Sequence, residues 1–419
     1  MSSSFPYYNE PTHDQGIITP TLGNAARTTA TSAAEGRLVI DAVDKVYILE
    51  ANKHPLVSLM NTVKTSDGAY KGSNPMKAST TNPEFRWFED VYGGRYARAS
   101  AASSNNDVFV TGAGPSSATI FTVGDTVKNA RTGEVMLVTI VSASGDATRL
   151  TVTRGFGTTA STPIVSGDGL FIVGNASEEN SGARNVNTTR VSSPTNFTQI
   201  FKTSIALSGT EDAAKLYGGR DLPYLRAKKA TEHALDIERA FWFGEKASNT
   251  TGVQGHPRRT TGGILEFIES GTSYVQNQGG ALTAPDLNAF LREGFTYGNS
   301  TKMLFAGGLL LQAINEIARG QIQTSTGDTQ YGVKISKWNT AFGDINIVHN
   351  PLFVEDYAGY GFLLDMECFR YRYMEGRDTR LMTNVQAPDV DGIVDQYITE
   401  AGLERKQAPR HAILKGVTG

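Results

Sequence analysis

The spacing of apolar positions changes several times along this chain, and each change marks an element. In LVIDAVDKVYILEANKHPLVSLMN, Val39, Ile40, Ala42, Val43, Val46, Tyr47 and Leu49 recur at helical spacing. Pro55 interrupts the pattern; LVSLM after it predicts a second short helix, with His54 a loop residue before the proline. In NPEFRWFEDVYGGRYARAS the period becomes two: Phe85, Trp87 and, after a shift, Val91 alternate with charged residues, as in an exposed two-faced strand. Fully extended, Asn82 to Arg98 would reach roughly 50 Å. NFTQIFKTSIALSGT (196–210) is a second long β-rich segment, with Phe197, Ile200, Phe201, Ile205 and Leu207 as its apolar content. The expectation is one long antiparallel hairpin made from the two.

Residues 104–175 lie between these strands and differ from both. ATIFTVGDTV, GEVMLVTIVSA, TRLTVTRGF and GDGLFIVG are short, rich in Val, Thr and Ile, and punctuated by Gly-Asp, Thr-Gly and Ser-Gly pairs. They predict a small, self-contained β-barrel or sandwich of about five strands. The longest helical pattern follows in RDLPYLRAKKATEHALDIERAFWFG (220–244). Asp221 can cap it, Pro223 suits its first turn, and Gly244 ends it. Leu222, Leu225, Ala230, Ala234, Ile237 and Phe241 form its apolar stripe, with His233 beside it as a structural residue. From about 260 to 350 helices and strands alternate: the helix APDLNAFLREGFTYG, the buried strand TKMLFAG, the helix GLLLQAINEIARG and the strand segment AFGDINIVHNPLF. GYGFLLDMECFRYRYMEG and DGIVDQYITEAGLERKQAPRHAILKGV then predict long antiparallel strands.

Composition narrows the function classes. A chain of 419 residues is long enough for two or three domains. Its 39 basic and 42 acidic side chains give a net charge of -3, without the basic excess of a protein that grips phosphates. Residues 1–36 carry one cation, Arg27, against Glu10, Asp14 and Glu35, so they are no nucleic-acid-binding arm. That segment has little to bury and would need a neighbouring subunit to order it. Cys368 is the only cysteine, which excludes a disulfide or cysteine zinc site within one chain and fits folding in a reducing cytosol. No stretch approaches 18 apolar residues, and MSSSFPYYNEPTHD lacks the pattern of a secretory signal.

Motifs for chemistry fail on inspection. No glycine precedes a lysine, so a Walker-type phosphate loop is excluded. GFGTTA (155–160) fits a relaxed dinucleotide pattern but leads into STPIVSGDG, which cannot start a helix, and reads as a turn. There is no GxSxG elbow and no HExxH helix. Cys368 sits in an alternating strand, where a packed thiol is expected. Asp389, Asp391 and Glu400 occupy calcium-loop positions, but Ile393 and Val394 stand where a ligand and a glycine are required. FRWFED and FWFGEK lack the basic cluster of a base-stacking surface. No catalytic, cofactor or metal site is expected, and the chain is not expected to be an enzyme. GHPRRTTGG (255–263) has the look of a phosphate cradle, yet has no basic surroundings. It reads as a glycine-permitted turn in which Arg258 and Arg259 pair with acidic groups of the same or a neighbouring subunit.

The order of these elements, and the strings FRWFED, NFTQIFKTSIALSGT, LYGGRDL, HALDIERAFWFG, RRTTGGILEFI and RHAILKGV, resemble tailed-phage major capsid proteins of the Hong Kong 97-like fold. They are similar to one major head protein family that carries a β-insertion of the VGDTV…GEVMLVT…LTVTRGFGT type. The resemblance covers nearly the whole chain. It implies an α+β fold with an N-terminal arm (1–36), an N-terminal helical segment (37–81), and an extended-loop hairpin (82–103 and 176–210). The inserted β-domain is 104–175, the peripheral domain with its spine helix 211–259 and 351–419, and the axial domain 260–350. RHAILKGV is expected as the terminal strand of the peripheral domain. The implied function is a major capsid protein that assembles as hexamers and pentamers into an icosahedral head around double-stranded DNA. Phe85, Trp87, Phe88, Glu89, Arg258 and Arg259 are the candidate subunit-interface residues. Implied partners are other copies of the chain, a portal, decoration proteins and a scaffold that is a separate protein or absent. The DNA would be enclosed without sequence-specific binding, no membrane is involved, and assembly in the host bacterial cytoplasm would place the protein in the virion capsid. The alternatives are a cellular nanocompartment shell of the same fold and a β-rich tail or adhesion protein that binds glycan through 104–175.

Overall fold

The computed structural model describes residues 54–61, 76–92, 94–111, 121–144, 147–184, 189–214, 221–249, 255–318, 324–325, 329–330 and 333–418. The expected arm 1–36 and the helix expected after it lie outside these residues. The short helix after His54 is Pro55–Asn61, and the His54 ring bonds Ser58 Oγ one turn on, at 2.7 Å.

Gln199–Ser208 alternates cleanly, with Phe201, Ile205 and Leu207 buried on one face. It pairs antiparallel with Gly392–Arg405, from Gln199↔Ala401 to Ser208↔Gly392. This corrects the expected hairpin. Only Thr195–Phe197 pairs with Glu84–Arg86, extended by a bridge between Glu89 and Ser192. Strand alternation shows which face is buried, but not which strand lies alongside. Phe369–Met374, Lys77–Thr80 and Arg380–Met382 complete a five-stranded sheet in which Gly392–Arg405 is an interior strand.

The helix Asp221–Phe243 lies on this sheet. Leu222, Ile237 and Phe241 are buried as the stripe predicts, whereas Leu225, Ala230 and Ala234 are half-buried. Three residues outside the stripe are buried with them: His233, Glu238 and Trp242. His233 ties the helix to two strands, through Thr203 Oγ1 at 2.8 Å and Thr399 Oγ1 at 2.7 Å. The Glu238 carboxylate accepts from the backbone N–H of Leu56 (2.9 Å) and Val57 (2.7 Å) and from Trp242 Nε1 (2.9 Å). The first turn of Pro55–Asn61 is therefore satisfied by a side chain more than 180 residues away in sequence. Trp242 packs edge-on to Phe305 and Phe353 and tilted on Phe362, with centroids 4.9 to 5.1 Å apart.

These phenylalanines belong to a second sheet or its border. It runs in the order Tyr274–Gly280, Ala412–Val417, Gly361–Leu364, Thr301–Ala306, Asp344–His349, Val333–Asn339, Thr324–Ser325, with Thr329–Gln330 also on Val333–Asn339. The helices Ala284–Gly294 and Gly308–Ala318 cover it through Leu287, Phe290, Leu291, Leu310 and Ile314. Two segments assigned to the peripheral domain thus sit in the axial sheet: Gly361–Leu364 and the RHAILKGV strand, Ala412–Val417. Gly361–Leu364 and the first half of the other, Ala412–Leu414, are continuous apolar runs, which suit a strand covered on both faces rather than an alternating one. Lys302 anchors the same strand from below. Its buried ammonium donates to the carbonyls of Gly294 (2.6 Å), Tyr297 (2.8 Å) and Arg410 (2.6 Å).

The inserted domain is a closed barrel of six strands rather than about five. In barrel order they are Tyr96–Ala99, Asp107–Thr111, Ala147–Thr153, Val135–Ser144, Asp125–Asn129 and Gly169–Asn175. The expected boundary at 104 is therefore too late. Tyr96–Ala99, assigned to the hairpin, closes the barrel by pairing with both Gly169–Asn175 and Asp107–Thr111. Its inward residues are Ala97 and Ala99, too small to give a strong apolar signal. The GFGTTA loop owes its shape to a buried carboxylate. Glu134 accepts from Arg154 Nε (2.8 Å), Gly155 N (3.0 Å) and Thr162 N (3.1 Å), with Gly155 at φ +61°.

Because the barrel closes on itself, replacing 96–175 by a short Gly-Ser linker is expected to leave the remainder folded. Protease resistance and a cooperative melt would check this; a cut at 104 strands Tyr96–Ala99 and is expected to aggregate. A second expectation concerns acid. His411 is buried, accepts from Asp365 N at Nδ1 (3.2 Å) and donates from Nε2 to Lys406 O (3.0 Å), which fixes the neutral ring. Burial pushes its pKa down from 6.5 to about 4, with Lys302, Asp365 and Arg410 as charged neighbours. Between those values the unfolded chain binds the extra proton, so stability is intact above about 6.5 and falls toward pH 4. The loss is of order 3 kcal/mol across the window. Melting curves at stepped pH should show this, with a shallower acid slope in His411→Gln.

Candidate assembly surface

The hairpin residues named as interface candidates divide into two groups. Phe85 is 6% exposed and Trp87 is 5% exposed, each buried against its own chain. The Phe85 ring covers Gly402, where an added Cβ would come within 2.8 Å of it; glycine is required here for close approach. Glu89 accepts from Trp87 Nε1 at 2.7 Å and from the Gln407 backbone N–H at 2.8 Å. Phe85, Trp87 and Glu89 thus fasten the arm to the body; the two buried rings correct their assignment as subunit contacts, while Glu89 is half-buried. An alternating strand always has an inner face, and the sequence pattern did not say which one. Phe88 points the other way and is 78% exposed; Val91 and Tyr92 beyond it are exposed as well. These three are apolar side chains left uncovered by the described residues, on a strand arm whose root is pinned.

The GHPRRTTGG segment also divides. Arg258–Thr260 pairs antiparallel with Ala247–Asn249 in a small ribbon. Arg258 is exposed and Arg259 half-buried, and neither forms an ion pair among the described residues. The second half is buried. Asn196 Nδ2 donates to Leu403 O (2.7 Å) and Gly262 O (3.1 Å), while its Oδ1 accepts from Gly262 N (2.9 Å). Thr261 Oγ1 accepts from Leu403 N at 3.2 Å, and Arg405 bonds Gly263 O and pairs with Glu266 at 2.9 Å. Gly263 has an ordinary φ of -92°, but a Cβ there would lie 2.8 Å from Gly244 N and 2.9 Å from Phe241 O. The expected reason for its glycines, freedom to turn, holds at Gly255, whose φ is +70° with open space where a Cβ would stand; at Gly263 it is corrected, because close approach of backbones requires glycine there.

Among the described residues no group of three or more His, Cys, Asp or Glu side chains could hold a metal ion. Cys368 is buried, burial raises its thiol pKa, and Arg410 Nη1 lies 3.2 Å from its sulfur. Asp389 and Asp391 are exposed on a turn leading into Gly392–Arg405. Among the described residues no helix is long and apolar enough to cross a membrane. Sequence reasoning missed Asn196, Glu238 and Lys302. Glu238 alone left a trace, as a carboxylate flanked by the apolar residues of ERAFWF.

The family model described as SU10 major capsid protein matches residues 21–418. The major capsid protein of Pseudomonas phage PaMx41 is 26% identical over 340 residues, covering 74% of this chain and 77% of that one. Among solved structures, one of Microbacterium phage Oxtober96 aligns with 91% of this chain and 97% of its own, at 9% identity and a TM-score of 0.47. The encapsulin complex of Synechococcus elongatus PCC 7942 aligns with 54% of this chain and 76% of its own, at 13% identity and a TM-score of 0.39. The family match spans both sheets, the long helix and the barrel, and the chain belongs to the SU10 major capsid protein family, so it is a phage major capsid protein, a subunit of the virion shell.

Proposed function

We propose that this chain assembles as hexamers and pentamers into the icosahedral head that encloses the double-stranded DNA of a tailed phage, and that it has no enzymatic role. One observation supports this most directly: a strand arm is fastened to its own body at Phe85, Trp87 and Glu89, yet exposes Phe88, Val91 and Tyr92 before it reaches the barrel. A fixed arm with exposed apolar side chains is suited to lie on a neighbour, since contiguous exposed apolar residues mark contact sites. Arg258 and Arg259 form no ion pair among the described residues, and a neighbour's carboxylates would match them. Near-neutral overall charge suits a wall around DNA packed by other components rather than one that condenses it. The portal, decoration proteins and any separate scaffold are the partners this role requires, and the host cytoplasm is the place of assembly.

Electron microscopy of the purified protein, alone and with a scaffold, is expected to show capsomers or closed shells; monomers under every condition would overturn the reading. Phe88→Ser with Tyr92→Ser, and separately Arg258→Glu with Arg259→Glu, are expected to keep the parent melting temperature, because these are surface changes. Each pair should lower the yield of assembled particles on a density gradient at least tenfold. Unchanged shells in both would remove these residues from the interface.

A further inference from the structure

The outer wall of the barrel carries a patch that shell formation by the arm does not explain. Tyr96, Phe171 and Lys128 lie side by side on three adjacent strands, in the register Tyr96↔Phe171 and Lys128↔Phe171. The two rings are 4.6 Å apart. The register then shifts between Lys128 and Thr126, leaving Val173 as the extra residue of a bulge, 63% exposed. Arg98 flanks the other side, with its guanidinium 5.8 Å from the Tyr96 ring, and Arg95 precedes it.

Charge distribution makes the patch distinctive. Asp107, Asp125, Glu134 and Asp168 are each paired with an arginine: Arg149, Arg184, Arg154 and Arg131. Arg95, Arg98 and Lys128 form no ion pair among the described residues. The uncommitted charge of the described barrel is therefore positive and stands beside Tyr96 and Phe171.

A complementary feature lies elsewhere in the same chain. The turn before Gly392 exposes Val390 between Asp389 and Asp391, and neither carboxylate forms an ion pair among the described residues. The turn is well fixed: Val390 N donates to Ala387 O (3.1 Å), Val385 N to Val394 O (2.7 Å) and Val394 N to the Gln386 side chain (3.0 Å). Gly392 pairs with Ser208, whereas the barrel lies beyond Ser192. The strand path between those two points is about 50 Å long at 3.3 Å per residue. Patch and turn thus occupy opposite ends of one strand path.

We propose that the barrel patch of one copy docks the Asp389–Val390–Asp391 turn of a second copy, a head-to-tail contact. Val390 meets Phe171 and Val173, while Asp389 and Asp391 face Lys128 and Arg98. The two cations stand two strands and two residues apart, about 12 Å, and the two carboxylates flank Val390 on one turn; the long basic side chains reach inward to meet them. A contact between unlike surfaces closes into rings or extends across a lattice, as a shell requires. Opposite charges fix its register more than its strength.

The inference rests on the shell reading, and a charge swap separates the two. Arg98→Glu with Lys128→Glu is expected to cut particle yield at least tenfold, as is Asp389→Lys with Asp391→Lys, both with parent melting temperatures. The fourfold variant carrying both exchanges is expected to restore it. Phe171→Cys with Val390→Cys should give intermolecular disulfide oligomers on oxidation of assembled particles, and either single cysteine none. Parent-like yield from both double variants, failure of the fourfold variant to recover, or no disulfide oligomers would each overturn this contact while leaving shell formation by the parent intact. Failure of the parent to assemble would instead count against the shell reading.

Discussion

Asn196 holds together backbone segments that no regular sheet could join. Its amide bonds the carbonyls of Leu403 and Gly262 and the N–H of Gly262, in a site closed to water. Inside a protein an unpaired backbone group costs about 1–3 kcal/mol, so losing this one side chain leaves several such costs at once. The site lies where the hairpin root, the end of the long helix and the long strand converge. Gly263 and Gly244 let their backbones touch there, with a hydrogen bond of 2.6 Å between them. The direction in which the arm leaves the body is set at this point, and so is the position of everything mounted on the arm.

The exposed and buried halves of the same segments divide the labour of a shell subunit. Phe85 and Phe88 are three residues apart in one strand, yet the first is core and the second is surface. Arg258 and Thr261 show the same division in the glycine-rich segment. Each contact element is thus anchored within a few residues of the place where it meets its surroundings. A rigid mount lets a few apolar side chains or a pair of charges specify geometry, because little conformational freedom remains to be lost on association.

Much of this was legible in the sequence. The long helix, the α/β block and the separate β-domain follow from periodicity, and the order of elements pointed to the family. What remained hidden has physical causes. Alternation in FRWFED shows a two-faced strand but gives both faces an aromatic, so it could not say that Phe85 and Trp87 turn inward. Ala97 and Ala99 contribute too little apolar volume to announce a barrel strand. Gln199–Ser208 pairs with residues almost two hundred positions later, a register that no local pattern encodes. Asn196 and Lys302 are polar residues whose burial depends on carbonyls supplied by distant segments, and only the folded chain brings these together.

The positions of Gly392–Arg405 and Ala412–Val417 bear on how the molecule is made. Each is the last strand of its sheet to be synthesised, and each lies in the interior of that sheet rather than at its edge. Until they emerge from the ribosome, Gln199–Ser208 has no partner on its sheet, and Tyr274–Gly280 is cut off from Gly361–Leu364. Non-local pairing of this kind is slow and comes late. The arm is therefore seated only once Gly392–Arg405 has paired with Gln199–Ser208. Both sheets are completed from their middles, by the two strands that come last in chain order.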